Sequence, residues 1–255
     1  MTKNFLSLIA CIAASSSAFA GDVPVTPIDA SRYVGVSRQV WIPDSGYDQQ
    51  YDSYDFATPF GSETRSVFVE GEFGPVYQWG SARQSSSFLE SYKLLAVESS
   101  VRLAPGQWSP GLRAQAGAGA ISELSFRAQV DSWLVADITA QVHGTITSGA
   151  TFAASFSASR DGVEAFNYTY ATAGGGDYQD GVYQSIVLEP GLWDMTVRLS
   201  GAANAAATDG DTRYGDIFMF VGVTGSVPSV GGSAVLACAG VFTAVRRGRS
   251  RTSRA

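Results

Sequence analysis

Between Ser122 and Gly144 the chain alternates with a period of two, most cleanly at Leu134, Ala136, Ile138, Ala140 and Val142 against Val135, Asp137, Thr139, Gln141 and His143. That period places the two sets on opposite faces of a strand, one buried and one wet. The pattern returns at Phe152, Ala154, Phe156 and Ala158, at Phe166, Tyr168 and Tyr170, and at Trp193, Met195, Val197 and Leu199. Residues 217–223 read as a closing, nearly continuous apolar strand. Turn residues separate these runs: Thr147-Ser148-Gly149, Arg160-Asp161-Gly162, 173–176, Glu189-Pro190-Gly191 and 202–210. Asp161-Gly162 between two alternating runs predicts a hairpin, because both residues accept positive φ. Breaks this close leave no room for long helices.

The first half is less regular. Residues 33–42, 65–70 and 88–103 carry the β-branched and aromatic content of strands, whereas 43–59 and 104–119 read as loops. The stretch 87–95 has a short helix as an alternative reading. The expectation is all-β: a single β-sandwich, jelly-roll-like or immunoglobulin-like, over residues 21–226, flanked by a signal helix and a transmembrane helix.

Both ends differ from this middle. Residues 1–20 combine Lys3, an apolar run from Phe5 to Ala14 and a small-x-small site at Ala18-Phe19-Ala20, the three parts of a cleavable export signal. At the other end, 227–245 is apolar and uncharged, and Arg246, Arg247 and Arg249 follow at once. About 20 helical residues span a bilayer, and an abutting Arg cluster is held on the cytoplasmic side. Residues 21–226 are thus expected outside the cell.

The tail of 227–255, with Val227, Pro228 and Ser229, then Gly231, Gly232, Ala234, Ala237 and Gly240 in the apolar run, then the Arg cluster, resembles the PEP-CTERM sorting signal of bacteria that make exopolysaccharide. The resemblance implies an exosortase-like transpeptidase as a partner, cutting at the Pro-containing motif, and a final location at the cell surface, outer envelope or extracellular matrix. Ser229 stands where that family has Glu, and a plain C-terminal membrane anchor is the alternative; in either case the tail meets the membrane at least transiently. The order of strands over 123–223 also resembles the generic ectodomains that precede such tails.

Charge narrows the partners. Residues 21–226 hold all 23 acidic side chains against 11 basic ones, a net charge of −12. Such a surface repels phosphate backbones, so nucleic acid is excluded as a partner. The two cysteines, Cys11 and Cys238, lie in the end segments, which leaves 21–226 without a disulfide or thiolate site.

Candidate chemistry is sparse. Asp44, Asp48, Asp52 and Asp55, interleaved with Tyr47, Tyr51 and Tyr54, are weak Ca²⁺ candidates: carboxylates gathered on a turn can chelate it, but their spacing matches no EF-hand, and solvated acidic turns are commoner. The expectation is no cofactor, with Ca²⁺ the one candidate. His143 is the single histidine and is expected on the wet side of its strand; no nucleophile elbow accompanies it, so no catalytic residue is assigned. The five tryptophans could supply flat platforms for sugars; most are expected to be core or half-core, and Trp133 is the weak candidate for stacking. Asn167-Tyr168-Thr169 is read as strand. Two functions follow: a non-enzymatic surface or matrix protein associated with exopolysaccharide, or a secreted carbohydrate-active enzyme using paired carboxylates.

Overall fold

The computed structural model describes residues 24–56, 62–74, 76–90, 93–107, 114–147, 150–173, 175–207 and 215–227. The expected signal helix at 1–20, the sorting motif beyond Val227 and the Arg cluster at Arg246, Arg247 and Arg249 lie outside these residues. Among the described residues no helix is long and apolar enough to cross a membrane.

Twelve strands run in chain order: β1 Val25–Ile42, β2 Gly46–Phe56, β3 Glu63–Phe73, β4 Val76–Glu90, β5 Lys93–Gln107, β6 Ala114–Val130, β7 Leu134–Ile146, β8 Ala150–Arg160, β9 Val163–Ala173, β10 Gly176–Leu188, β11 Gly191–Ala207 and β12 Gly215–Ser226. They form two six-stranded antiparallel sheets, one ordered β2-β1-β6-β11-β8-β9 and the other β10-β7-β12-β5-β4-β3. The last eight strands, β5 to β12, cross between the sheets at every step except the β8–β9 hairpin, which is jelly-roll order, and β1 to β4 widen each sheet by two. The immunoglobulin-like alternative is thereby set aside.

The expected alternation is realised. Leu134, Ala136, Ile138, Ala140 and Val142 are buried, and His143 is exposed. The Asp161-Gly162 hairpin forms with φ of 51° and 79°, both positive, the combination that joins tightly twisted strands. Between the sheets, strands other than β2 contribute to a main core that includes Leu124, Phe126, Phe156, Leu199, Met219 and Val223, and Val40, Ile42, Val76, Ala114 and Ala116 form a second, smaller cluster.

Several loops expected from the sequence are strands. Residues 43–59 contain β2, 104–119 contain the end of β5 and the start of β6, β11 runs on to Ala207, and 87–95 is strand on both sides of a short connection rather than helix. Intrinsic preference misled in each case. The Ala/Gly stretch that opens β6 is paired on both edges, by β1 and by β11, and Ala114, Ala116, Ala118 and Ala120 are buried beneath it. Ladder pairing and burial outweigh the weak strand preference of small residues.

A polar seam crosses this core, which the sequence did not announce. Arg32 Nε donates to Ser86 Oγ at 2.6 Å, and its guanidinium lies 4.4 Å from the centroid of the Phe88 ring. Gln84 Nε2 donates to Ser122 Oγ at 3.0 Å and to the Glu123 carbonyl at 2.9 Å, and Gln78 Nε2 donates to the Gln39 carbonyl at 2.9 Å. These bonds run from one sheet to the backbone and side chains of the other, so they satisfy only one way of stacking the two sheets.

Candidate functional site

The acidic, tyrosine-rich segment is the second arm of a hairpin. Ile42 and Gly46 are joined through Pro43, Asp44 and Ser45; Ser45 N donates to the Ile42 carbonyl at 3.2 Å, with Asp44 at φ 65° and Gly46 at φ 100°. Because β2 is a strand, its side chains divide by parity. Tyr47, Gln49, Tyr51, Ser53 and Asp55 share the outer face with Trp41, Gln39, Ser37, Gly35 and Tyr33 of β1, their register partners in that order.

The division scatters the Ca²⁺ candidates. Asp44 sits in the turn, Asp48 and Asp52 are on the inward side of β2, and Asp55 is on the outward side opposite Tyr33. Asp48 is engaged: its Oδ2 lies 2.8 Å from Arg38 Nη2, while Arg38 Nε donates to Gln50 Oε1 at 2.9 Å. Arg38 lies against β3 at Gly71, where a Cβ would collide with the guanidinium. Among the described residues no group of three or more His, Cys, Asp or Glu could hold a metal ion.

The outer face of the hairpin is different in kind. Trp41, Tyr47 and Tyr51 are 44%, 56% and 58% exposed, far more than aromatic rings packed into a core. Hydrogen bonds tie the two tyrosines to neighbours on the same face. The Tyr47 hydroxyl donates to Gln49 Oε1 at 3.0 Å and lies 3.3 Å from Gln39 Oε1, which pulls its ring over the glutamine row. Tyr33 lies over Gly35, where a Cβ would come within 2.5 Å of its hydroxyl, and the phenols of Tyr33 and Tyr51 share a hydrogen bond. Only glycine at 35 lets the Tyr33 ring lie this close to the backbone. The result is a set of solvent-exposed aromatic side chains, with two carboxamides on the same face.

A shelf of small residues continues from these rings. One register row runs Tyr51, Ser37, Gly119, Ala202, Thr151, Ala173 across all six strands, a width of about 24 Å at roughly 4.8 Å per strand. At its far end Thr151, Ala153, Ala171, Ser200 and Ala202 line a shallow trough of about 470 Å³. The shelf ends at the rings on one side and is open on the other.

The hydrogen bond with Tyr51, in which the neutral Tyr33 phenol donates, raises Tyr33 above its ordinary value, with burial and the Asp55 charge adding to the rise. A raised pKa favours the neutral phenol. The pair is therefore fully formed below the ordinary phenol value of about 10 and is lost as pH climbs through the higher folded value. In Tyr51→Phe the Tyr33 transition should move down toward about 10, as followed by NMR of carbon-labelled tyrosine in an alkaline titration. An unmoved transition would show that the pair is not formed in solution.

The other residues singled out from sequence do not join this surface. Trp133, 51% exposed in the connection between β6 and β7, stands at the opposite end of the long strands from Trp41. Trp193 is buried, as expected, and its Nε1 donates to the Glu189 carbonyl at 2.9 Å. Trp79 is half-buried beside Phe68, their centroids 6.4 Å apart, and Trp108 lies outside the described residues. Asn167 is a strand residue of β9 whose Nδ2 donates to Glu164 Oε2 at 3.0 Å. Trp41, not distinguished from the tryptophans expected to be mostly core or half-core, and Gly35 and the glutamines, not singled out at all, are the residues that sequence reasoning missed. Their signal was the matched alternation of 33–41 and 47–55 about a Pro-Asp-Ser-Gly turn.

No family model matches this chain, and no curated protein matches it. Among solved structures it is similar to TmCBM61 in complex with β-1,4-galactotriose, at 12% identity over 61% of this chain and 86% of that one, with a TM-score of 0.25. It is also similar to the arabinose-bound α-L-arabinofuranosidase MgGH51, at 8% identity over 65% of this chain and 24% of that one, with a TM-score of 0.25. A third is Eiger TNF from S. frugiperda, at 13% identity over 41% of this chain and 68% of that one, with a TM-score of 0.21. With no family model matched and TM-scores this low, the chain is assigned here to an architecture, the antiparallel β-sandwich, and to no family.

Proposed function

We propose that this protein is a non-enzymatic, glycan-binding component of the cell surface or extracellular matrix, which holds exopolysaccharide on the outer face of the β1–β2 hairpin. The observation that carries this reading is the group of exposed aromatic side chains, Trp41, Tyr47 and Tyr51, with half-buried Tyr33 beside them and Gln39 and Gln49 on the same face. The apolar faces of sugar rings stack on such surfaces, and carboxamides can both donate to and accept from sugar hydroxyls. A shelf some 24 Å wide suits a polymer better than a single sugar. The expected export signal, the PEP-CTERM-like tail and an exosortase-like partner would bring this face to a polysaccharide-rich location.

The test is retention on immobilised hydroxyethyl cellulose, linear galactan, dextran and alginate. The wild type is expected to bind at least one of them, and Trp41→Ala with Tyr47→Ala to weaken that binding at least about tenfold, equivalent to roughly 1.4 kcal/mol. Binding to none of these polymers, or binding indifferent to the double substitution, would overturn the site. Release of reducing sugar from any of them would favour the carbohydrate-active enzyme instead.

A further inference from the structure

The outer face of the second sheet carries a separate aromatic surface. One register row there runs Arg83, Ser100, Phe218, His143, Gln179 across β4, β5, β12, β7 and β10. The His143 imidazole stacks on Phe218 with centroids 5.2 Å apart and planes 12° from parallel. Two residues along β12, Phe220 lies over Gly222, where a Cβ would come within 3.1 Å of its ring. This repeats on β12 the arrangement of Tyr33 over Gly35.

His143 divides two grooves. On one side is a groove of about 350 Å³ whose walls include Arg83, Glu98, Phe218 and Phe220, with Ser85 and Ser100 as its small floor. On the other is one of about 580 Å³ bounded by Gln141, Gln179 and Tyr183, with Gly181 opening its floor. Tyr183 is 70% exposed. From Arg83 to Gln179 the row spans four strand spacings, about 19 Å. Flat rings, amides at Gln141 and Gln179, and the charges of Arg83, Glu98 and Asp180 along shallow grooves suit a hydroxyl-rich polymer, and among the described residues neither groove is a deep apolar pocket that would select a protein side chain.

We infer that the sandwich is bivalent: the Phe218, Phe220, His143 and Tyr183 surface is a second glycan-binding face, so one monomer cross-links two polysaccharide chains. This rests on the function proposed above for the first face. The two surfaces belong to different sheets and point in opposite directions, with the core about 10 Å thick between the sheets and side chains beyond it. Two chains can therefore be held at once without meeting. Both faces acting on one polymer-coated surface also raise retention by avidity, so loss of either weakens binding without abolishing it.

The experiment mixes two colours of beads coated with the four polymers named above and counts mixed aggregates formed by the purified full chain, confirmed as monomeric by sedimentation. Wild type should aggregate the colours together. His143→Ala with Tyr183→Ala, both exposed and so compatible with folding, should still bind single beads at raised protein concentration yet form at least about tenfold fewer mixed aggregates. Trp41→Ala with Tyr47→Ala should behave in the same way. A monomeric wild type that binds beads without bridging them, or a His143→Ala, Tyr183→Ala variant that bridges as well as wild type, would overturn the second face while leaving the first intact. Binding of wild type to no bead would overturn both.

Discussion

Phe88→Ala should lower the unfolding free energy by about 3 to 5 kcal/mol. The Phe88 ring is 2% exposed, stacked on Phe126 with centroids 4.7 Å apart, and roofed by the Arg32 guanidinium at 4.4 Å. Deleting it forfeits the burial of a large apolar side chain and leaves a cavity, the usual two parts of the cost. A third part is particular to this core. Arg32 is fully buried, and burial pushes its guanidinium below its ordinary value while Glu63 acts in the opposite sense. The π face of Phe88 is one of the groups compensating that desolvated charge. Urea unfolding of the full chain checks this as a shift in midpoint at unchanged slope. A loss below about 1 kcal/mol would mean that the sheets are not packed here as described.

Asp48→Ala is expected to cost about 2 to 3 kcal/mol, by leaving Arg38 without its carboxylate. The Arg38 side chain is only 8% exposed, whereas Asp48 is 33% exposed. Partial solvation of the acid keeps the figure below that of a fully buried pair. Little remains to take up the charge, since Arg38 Nη1 is buried without a hydrogen-bond partner and Gln50 Oε1 receives only Nε. The same measurement with added Ca²⁺ separates this role from cation binding. The ion pair predicts no Ca²⁺-dependent shift in the unfolding midpoint of wild type. A shift that disappears in Asp48→Ala would restore Asp48 as a ligand.

Period-two alternation determined the β class, the strands around 134–143, 152–158 and 193–199, the hairpin at Asp161-Gly162 and the exposure of His143. These are local properties: a residue's side of a strand follows from counting, and an Asp-Gly turn from the φ angles that its two residues accept. What escaped the sequence was decided by partners distant in the chain. β2 reads as a loop because Asp, Gln, Ser and Tyr have little apolar content, yet it becomes a strand by pairing along β1 and by placing Asp48 against buried Arg38. The Ala/Gly opening of β6 is a strand because β1 and β11 supply hydrogen bonds on both edges. The candidate sites follow the same division. Sequence could name aromatic residues, but the register of β1 on β2 decided that Trp41 and Tyr47 share a face, and that of β12 on β7 placed Phe218 beside His143. Whether a ring is core or platform depends on what covers it, and cover is a property of the stacked sheets rather than of any one strand.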